Sequence, residues 1–293
     1  MKFTSNKKQP LLDFLRHSFS DSSSRTLKSW ILNRRVQIND LTVTRPHEII
    51  EKGSILSLVP QSKQLYPGLE IIFESSDYIV LSKPANLLAV PLDNKIEKNV
   101  FHILKKNFPK NQILPVHRLD REVSGLILFA KNKKSQLYFK EILEKREVKK
   151  YYIALVENAF VEKKGTFTSP LTELKSLKVV EDPNGKEAVT YYSVIDESKN
   201  FTTVLLNLKT GRKHQLRVHC KGANHPILGD IRYDSTKPFH KRIALHATYL
   251  SFIDPQTKKK KSFFNPPPSE FSLKNQKKIY ALAKEEKIWN TIS

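Results

Sequence analysis

Pro115–Lys131, PVHRLDREVSGLILFAK, decides how the chain is read. Leu126 to Ala130 is a short, continuous apolar run entered through Gly125. That pattern is a buried strand. Such a strand holds the loop before it rigid and places Asp120 at its start, among His117, Arg118 and Arg121. A carboxylate beside cations is kept ionised and acceptor-only. A nucleophile or general base needs that state, but structural ion pairs use the same cluster. Local chemistry leaves both readings open.

Outward from this stretch, composition narrows the partner. The chain has 293 residues, enough for one or two domains with a sizeable core. Lys and Arg number 51 against 29 Asp and Glu, a formal net charge of +22. Such a field favours a polyanion, nucleic acid first. No apolar run approaches the roughly 18 residues that would span a bilayer. The N-terminus, MKFTSNKKQP, lacks the apolar segment of a signal peptide. Cys220 is the single cysteine, so no intrachain disulfide and no cysteine-based metal site is expected. A reducing, cytoplasmic setting fits, with RNA as partner, no membrane and a monomer expected. Lys258–Lys261 is a short basic run, read as an exposed hairpin tip, a phosphate contact or a weak nuclear-import signal.

The first sixty residues carry ten Lys and Arg and five acids. Leu11, Leu12, Phe14, Leu15 and Phe19 recur at helical spacing, which predicts a helix over 10–18. Ser22–Ser24 offers N-caps for a second helix from Arg25 to about Asn33, with Leu27, Trp30 and Ile31 as its apolar face. Strands are predicted at Val36–Asn39, Leu41–Val43 and Ile55–Val59. A helix closed by Arg34-Arg35 and followed by Val36, Ile38 and Asn39 resembles the alpha-L RNA-binding module of certain ribosomal proteins. The resemblance implies phosphate contacts by Arg25, Lys28, Arg34 and Arg35, which supply affinity and register rather than sequence readout. Pro67-Gly68 marks a linker over 63–69, between a domain at 1–62 and a larger one at 70–293.

In the larger domain, Ile71–Phe73 and Tyr78–Leu81 read as strands about a turn, and Ser82-Lys83-Pro84 ends the second. Asn86 follows at a turn position that suits a left-handed backbone. Helices are predicted at 97–108 and 133–145, the latter with Leu137, Phe139, Ile142 and Leu143 as its apolar face. EVKKYYIALV, residues 147–156, ends as a strand, which taken alone places one of Tyr151 and Tyr152 in the core and one out. Residues 163–187 are polar, with glycines and prolines, and read as loops and turns. Ala188–Ile195 and Thr202–Leu208 alternate as antiparallel strands do. TGRKHQLRVH, residues 210–219, opens a helix over 213–221 capped by Gly222, with Lys213, Leu216, Arg217 and Cys220 on one side. His214 and His219 lack the further ligands of a metal site.

Taken in order, His117-Arg118-Leu119-Asp120 with Ser124-Gly125, the strand into Lys83-Pro84, the Lys150, Tyr152, Ala154, Val156 series and Gly211-Arg212 to His219 resemble the RluA-type RNA pseudouridine synthases. His225–Asp230 and Arg242–Ala247 continue the match. The resemblance implies an α+β catalytic domain with a mixed, mainly antiparallel sheet, carrying the small N-terminal module in front. It implies isomerisation of uridine to pseudouridine in RNA, with no cofactor and no metal. Asp120 is then the residue that acts on the ribose as nucleophile or base, Tyr152 packs on uracil, and Arg217 pairs with Asp120. Arg118, Arg212 and His214 are expected to contact RNA. Chemistry on a base requires the uridine to be flipped from its stack. Large-subunit ribosomal RNA is the expected substrate; transfer RNA is the alternative. A third reading is a non-catalytic RNA-binding or ribosome-assembly factor on the same scaffold, which loss of the Asp, Tyr or Arg would have signalled.

Overall fold

A computed structural model of the chain describes residues 2–33, 35–39, 41–43, 45–59, 64–91, 98–273 and 276–284. It divides into two compact units, Met1–Gln64 and Leu65–Ser293.

In the first unit two short amphipathic helices cover a small sheet. Leu11–Ser18 buries Leu11, Leu12, Phe14 and Leu15. Ser24–Leu32 buries Leu27 and Ile31. The Ser23 hydroxyl caps the second helix by accepting the Thr26 N–H at 3.1 Å, satisfying one of the donors a helix start leaves open. The strands lie in the order Lys2–Thr4, Ile55–Leu58, Val36–Ile38, Leu41–Thr42. Asn39 turns the chain at φ 51°, and its side-chain oxygen accepts the Ile55 N–H at 2.8 Å. One residue thus supplies both the left-handed turn and a sheet contact, which Asn does at little cost.

The second unit is α+β, built on a mixed sheet. Its strands run Lys164–Thr168, Val189–Glu197, Thr202–Leu208, Lys149–Val156, Leu245–Ile253, Ser124–Ala130, Tyr78–Lys83, Leu69–Glu74. Ser124–Ala130 and Leu245–Ile253 are parallel, with Gly125 opposite Ala247. The next contact on either side is antiparallel. Gly125 sits at φ 114°, and a Cβ there would strike the Ala247 backbone; only glycine allows this approach.

The Leu126–Ala130 run is continuous because the strand is covered on both faces. Leu126 and Leu128 join Tyr78, Val80, Phe139 and Phe252 in one cluster. Ile127 and Phe129 join Ile79, Leu81, Ile153 and Leu245 in another. Helix Lys133–Glu144 seals the first face with Phe139 and Ile142. Helices Val100–Asn107 and Gln276–Lys284 add Val100, Leu104, Ile279 and Ala283 to the second cluster.

Several local expectations change. Leu137 is 56% exposed, so the apolar face of its helix is narrower than its spacing implied. Residues 163–187 hold the strands Lys164–Thr168, Leu171–Glu173 and Val179–Glu181. The first of these is a sheet edge that buries none of its five residues, so it carries no apolar signal to read. Helix Gln215–Gly222 starts two residues later than the spacing predicts, because His214 adopts a left-handed backbone at φ 52°. Lys213 therefore lies outside it and pairs with Glu173, and Ala223, not Gly222, is the C-cap. Tyr151 and Tyr152 are both buried. The Lys258 turn has φ 55°, while Lys261 lies over the Phe73 ring at 3.9 Å and 3.6 Å from Asp254.

Candidate active site

The loop that carries Asp120 is tied at three points. At its start, His117 Nε2 accepts the Leu128 N–H at 3.2 Å. Burial takes His117 down to a pKa of about 3, so it is a neutral hydrogen-bonding residue and not half of a basic pair. In the middle, the buried Lys83 ammonium donates to the carbonyls of Leu87, Pro84 and Arg121 at 2.7, 3.0 and 3.2 Å. Asn86, at φ 63°, makes the left-handed turn after it. Burial lowers the Lys83 pKa to about 7, with Asp120 and Glu122 pulling it back up. At the exit, Ser124 Oγ accepts from Arg242 at 2.6 Å and lies 2.8 Å from His246 Nδ1. His246 Nε2 meets the Asn265 carbonyl at 3.1 Å. A carbonyl only accepts, so Nε2 carries the proton and Nδ1 accepts from Ser124.

Asp120 keeps 17% of its side chain open and lines a cleft of about 470 Å³ with Tyr152, Lys150, Arg118, Arg212 and His214. Burial raises its pKa above the usual carboxylate value; Arg217, Arg118 and Lys83 pull the other way without cancelling it. The cluster of cations around it therefore offsets a desolvation cost and does not depress the pKa outright.

Arg217 is 97% buried and stands 3.6 Å from Asp120 Oδ2 and 3.4 Å from Glu122. Its fork is spent elsewhere: Nε and Nη2 donate to the two oxygens of Asp230 at 2.7 and 2.8 Å. The planar pair fixes the guanidinium and leaves Nη1 facing Asp120. Tyr233 covers its other side, ring centre to Cζ 5.0 Å.

His214 adds a second group at the carboxylate. Its Nε2 lies 3.8 Å from Asp120, and its Nδ1 is 2.7 Å from the Tyr233 hydroxyl. That hydroxyl also accepts the Val179 N–H, and it pairs with Nδ1 as donor or acceptor according to the tautomer of the ring. Burial first, then Arg217, Arg232 and Lys213, hold His214 neutral with a pKa of about 3. Nε2 is the ring nitrogen that faces the Asp120 carboxylate, and in the tautomer protonated there the Tyr233 hydroxyl donates to Nδ1.

Tyr152 enters the cleft from strand Lys149–Val156, beside a register shift against Leu245–Ile253. It is 6% exposed. Burial, with Asp120 adding to it, raises its pKa far enough to keep the phenol protonated. The structure thus brings Asp120, Tyr152, Arg217, Arg118, Arg212 and His214 to one cleft. Arg118 and Arg212 are exposed, and Arg212 Nε donates to the Glu187 carbonyl at 3.0 Å. Arg25 and Lys28 are exposed on their helix in the other unit. Arg35 stacks on Trp30 at 5.3 Å and donates to the Val59 carbonyl. Arg34 lies outside the described residues. Asp230, Tyr233, Lys83 and Lys150 belong to the site or its supports but were not singled out for it from sequence. For Lys150 a signal existed: it alternates with Tyr152 on one strand. Among the described residues no group of three or more His, Cys, Asp or Glu could hold a metal ion, and no helix is long and apolar enough to cross a membrane.

Residues 77–222 match the model of the RNA pseudouridylate synthase family. The chain is 30% identical over 279 residues to an uncharacterized RNA pseudouridine synthase of Mycoplasma genitalium, covering 90% of this chain and 91% of the relative. It is 32% identical over 273 residues to the ribosomal large subunit pseudouridine synthase D of Escherichia coli, covering 84% and 83%. Among solved structures, human RNA pseudouridylate synthase domain containing 1 superposes with a TM-score of 0.62 at 24% identity, over 76% of this chain and 97% of that one; this likeness speaks to the fold. With relatives at 30% and 32% identity matched over most of both chains, the chain belongs to the RNA pseudouridylate synthase family.

Proposed function

We propose that the protein isomerises uridines of large-subunit ribosomal RNA to pseudouridine, with Asp120 as the residue that acts on the ribose. One observation carries the assignment of the site. Asp120 is a partly open carboxylate at the wall of a cleft, backed by a buried arginine 3.6 Å away and sharing the cleft with Tyr152. Two relatives at 30–32% identity are named for the ribosomal large subunit, which supports the choice of RNA.

The reaction breaks the bond between ribose and uracil nitrogen, turns the base, and joins ribose to uracil carbon five, which gives up its proton. No atom is gained or lost, so no redox partner is required. The base must leave its stack to reach Asp120. Tyr152 gives the uracil a flat apolar surface during the turn, a contact worth about 1–3 kcal/mol per base. Arg217 holds Asp120 in orientation, and His214 presents a neutral ring beside it. Arg118 and Arg212, exposed at the rim, meet the RNA backbone.

The domain reading stands with this function. Residues 1–62 act as an alpha-L-type RNA-binding domain and 70–293 as the catalytic domain; most of the expected 63–69 linker is taken up by strands Gln64–Tyr66 and Leu69–Glu74 of the catalytic sheet. Arg25, Lys28, Arg34 and Arg35 of the first add phosphate contacts. The enzyme works as a monomer in the cytoplasm and uses no cofactor.

The test is a map of pseudouridines in total RNA from cells with the gene, without it, and with Asp120→Asn. Sites in large-subunit ribosomal RNA are expected to vanish in both altered strains, with RNA binding retained by Asp120→Asn in vitro. Sites lost only from transfer RNA would move the substrate, and full modification by Asp120→Asn would overturn the assignment.

A further inference from the structure

Lys83 is fully buried and Lys150 is partly buried at the wall of the cleft, and they differ in one further respect. Lys83 donates to three carbonyls. No hydrogen bond or ion pair among the described residues engages the Lys150 ammonium, and burial alone, with no acid to offset it, lowers its pKa. A cation withdrawn from water and left without a partner is costly unless something else completes it.

Its position says what completes it. Lys150 and Tyr152 are two apart on strand Lys149–Val156 and both line the Asp120 cleft. A second cleft of about 570 Å³ adjoins this one, sharing Lys150, His117, Leu208, Gly211 and Arg212 with it. Beyond the junction it is walled by Arg146, Lys149, Lys209 and Tyr191, with Glu144 as its one acidic lining residue among those described. The two clefts form one trough, basic along its length, with Lys150 where they meet.

We propose that the second cleft takes the RNA strand where it leaves the target uridine, and that Lys150 binds the phosphate joining that uridine to its neighbour. The inference rests on the functional reading above and extends it from the reacting nucleotide to the next one. A uridine stacked on Tyr152 has a phosphate on each side. One must pass the junction if the strand follows the trough. The Lys150 ammonium then meets an anion that no residue of the chain supplies. Tyr191 stands in the wall beyond, where a tyrosine ring gives a following base a surface that any sequence can use. Neutral His117 at the same junction adds no competing charge.

The experiment uses the full chain and a short single-stranded RNA with one central uridine, followed by fluorescence anisotropy. Lys150→Gln is compared with wild type and with Lys140→Gln, on the exposed outer face of its helix. The slope of log affinity against log salt is expected to fall by about 0.7 in Lys150→Gln, the loss of one single-strand phosphate contact, and to stay unchanged in Lys140→Gln. A second arm replaces one phosphate at a time by a neutral methylphosphonate. One linkage beside the uridine is expected to weaken binding by wild type and to have no further effect on Lys150→Gln. Circular dichroism and the melting temperature of Lys150→Gln establish that the variant is folded, and Lys150→Arg, which keeps the charge, is expected to keep both the salt slope and the linkage effect. An unchanged salt slope, or a linkage effect equal in both proteins, overturns the proposal. The cellular map of pseudouridines separates the two readings. Coupling at one phosphate without any lost modification site breaks the functional assignment alone. Lost sites without coupling break this inference alone.

Discussion

The wall behind Asp120 and the wall in front of it are built on opposite rules. Behind it, charges and polar atoms are paired within the protein: Arg217 with Asp230, Tyr233 with His214 and Val179, Lys83 with three carbonyls. In front, Arg118 and Arg212 are exposed and Lys150 has no partner among the described residues. The first wall fixes a geometry; the second waits for a polyanion. A site that must both hold a carboxylate still and seize a large flexible substrate needs both, since preorganisation demands satisfied neighbours and phosphate affinity demands unsatisfied ones.

Removing a charge from the rear wall should have the largest effect on the fold. Arg217→Met leaves Asp230, 1% exposed, without its one charged partner among the described residues. A loss of about 3–5 kcal/mol is expected, read as a lower midpoint in urea, together with loss of turnover. Adding Asp230→Leu should restore the midpoint but not turnover. Recovery of activity by the double variant would show that Arg217 serves only the fold.

Tyr233→Phe is milder. It removes the hydroxyl that pairs with His214 Nδ1 and accepts the Val179 N–H, at a cost of about 1 kcal/mol. If the ring orientation matters to chemistry, kcat falls while KM holds. Equal changes in both would assign Tyr233 to RNA binding and weaken the contrast between the walls.

The smallest effect has the opposite sign. The folded-state pKa of Asp120 is raised. A group of this kind stabilises the fold below its unfolded pKa, and that contribution is lost as pH rises through the folded value. Burial disfavours the ionised form of Asp120, so at neutral pH the group is a burden to the fold. Asp120→Asn should melt at or above the wild-type temperature near pH 7, with the gap closing toward acid. A clear drop in melting temperature at neutral pH would mean that Asp120 belongs with the satisfied wall.

Much of the frame was legible in the sequence. The run Leu126–Ala130, entered through Gly125, announced a buried strand, because burial leaves its mark on the chain itself; the close approach of Gly125 to Ala247 did not show. Asn39 and Asn86 marked left-handed turns in the same local way. What failed to show was pairing at a distance. Arg217 was matched to Asp120, yet its fork closes on Asp230, thirteen positions along and beyond the helix end. No periodicity links the two. His214 hid the helix start because its left-handed backbone leaves no mark in the spacing, and the Tyr233 hydroxyl that meets its ring lies nineteen positions later. The edge strand Lys164–Thr168 was silent because nothing in it is buried.

The parallel contact between Gly125 and Ala247 also sets a clock. The strand that supports Asp120 is completed by a neighbour some 120 residues downstream, and contacts so far apart in sequence form late. At about 5–20 residues per second of synthesis, that separation is roughly 6–24 s of ribosome time. The residues of the first unit are complete well before then. During its own birth the chain thus carries a finished first unit long before the strand behind Asp120 gains its parallel neighbour.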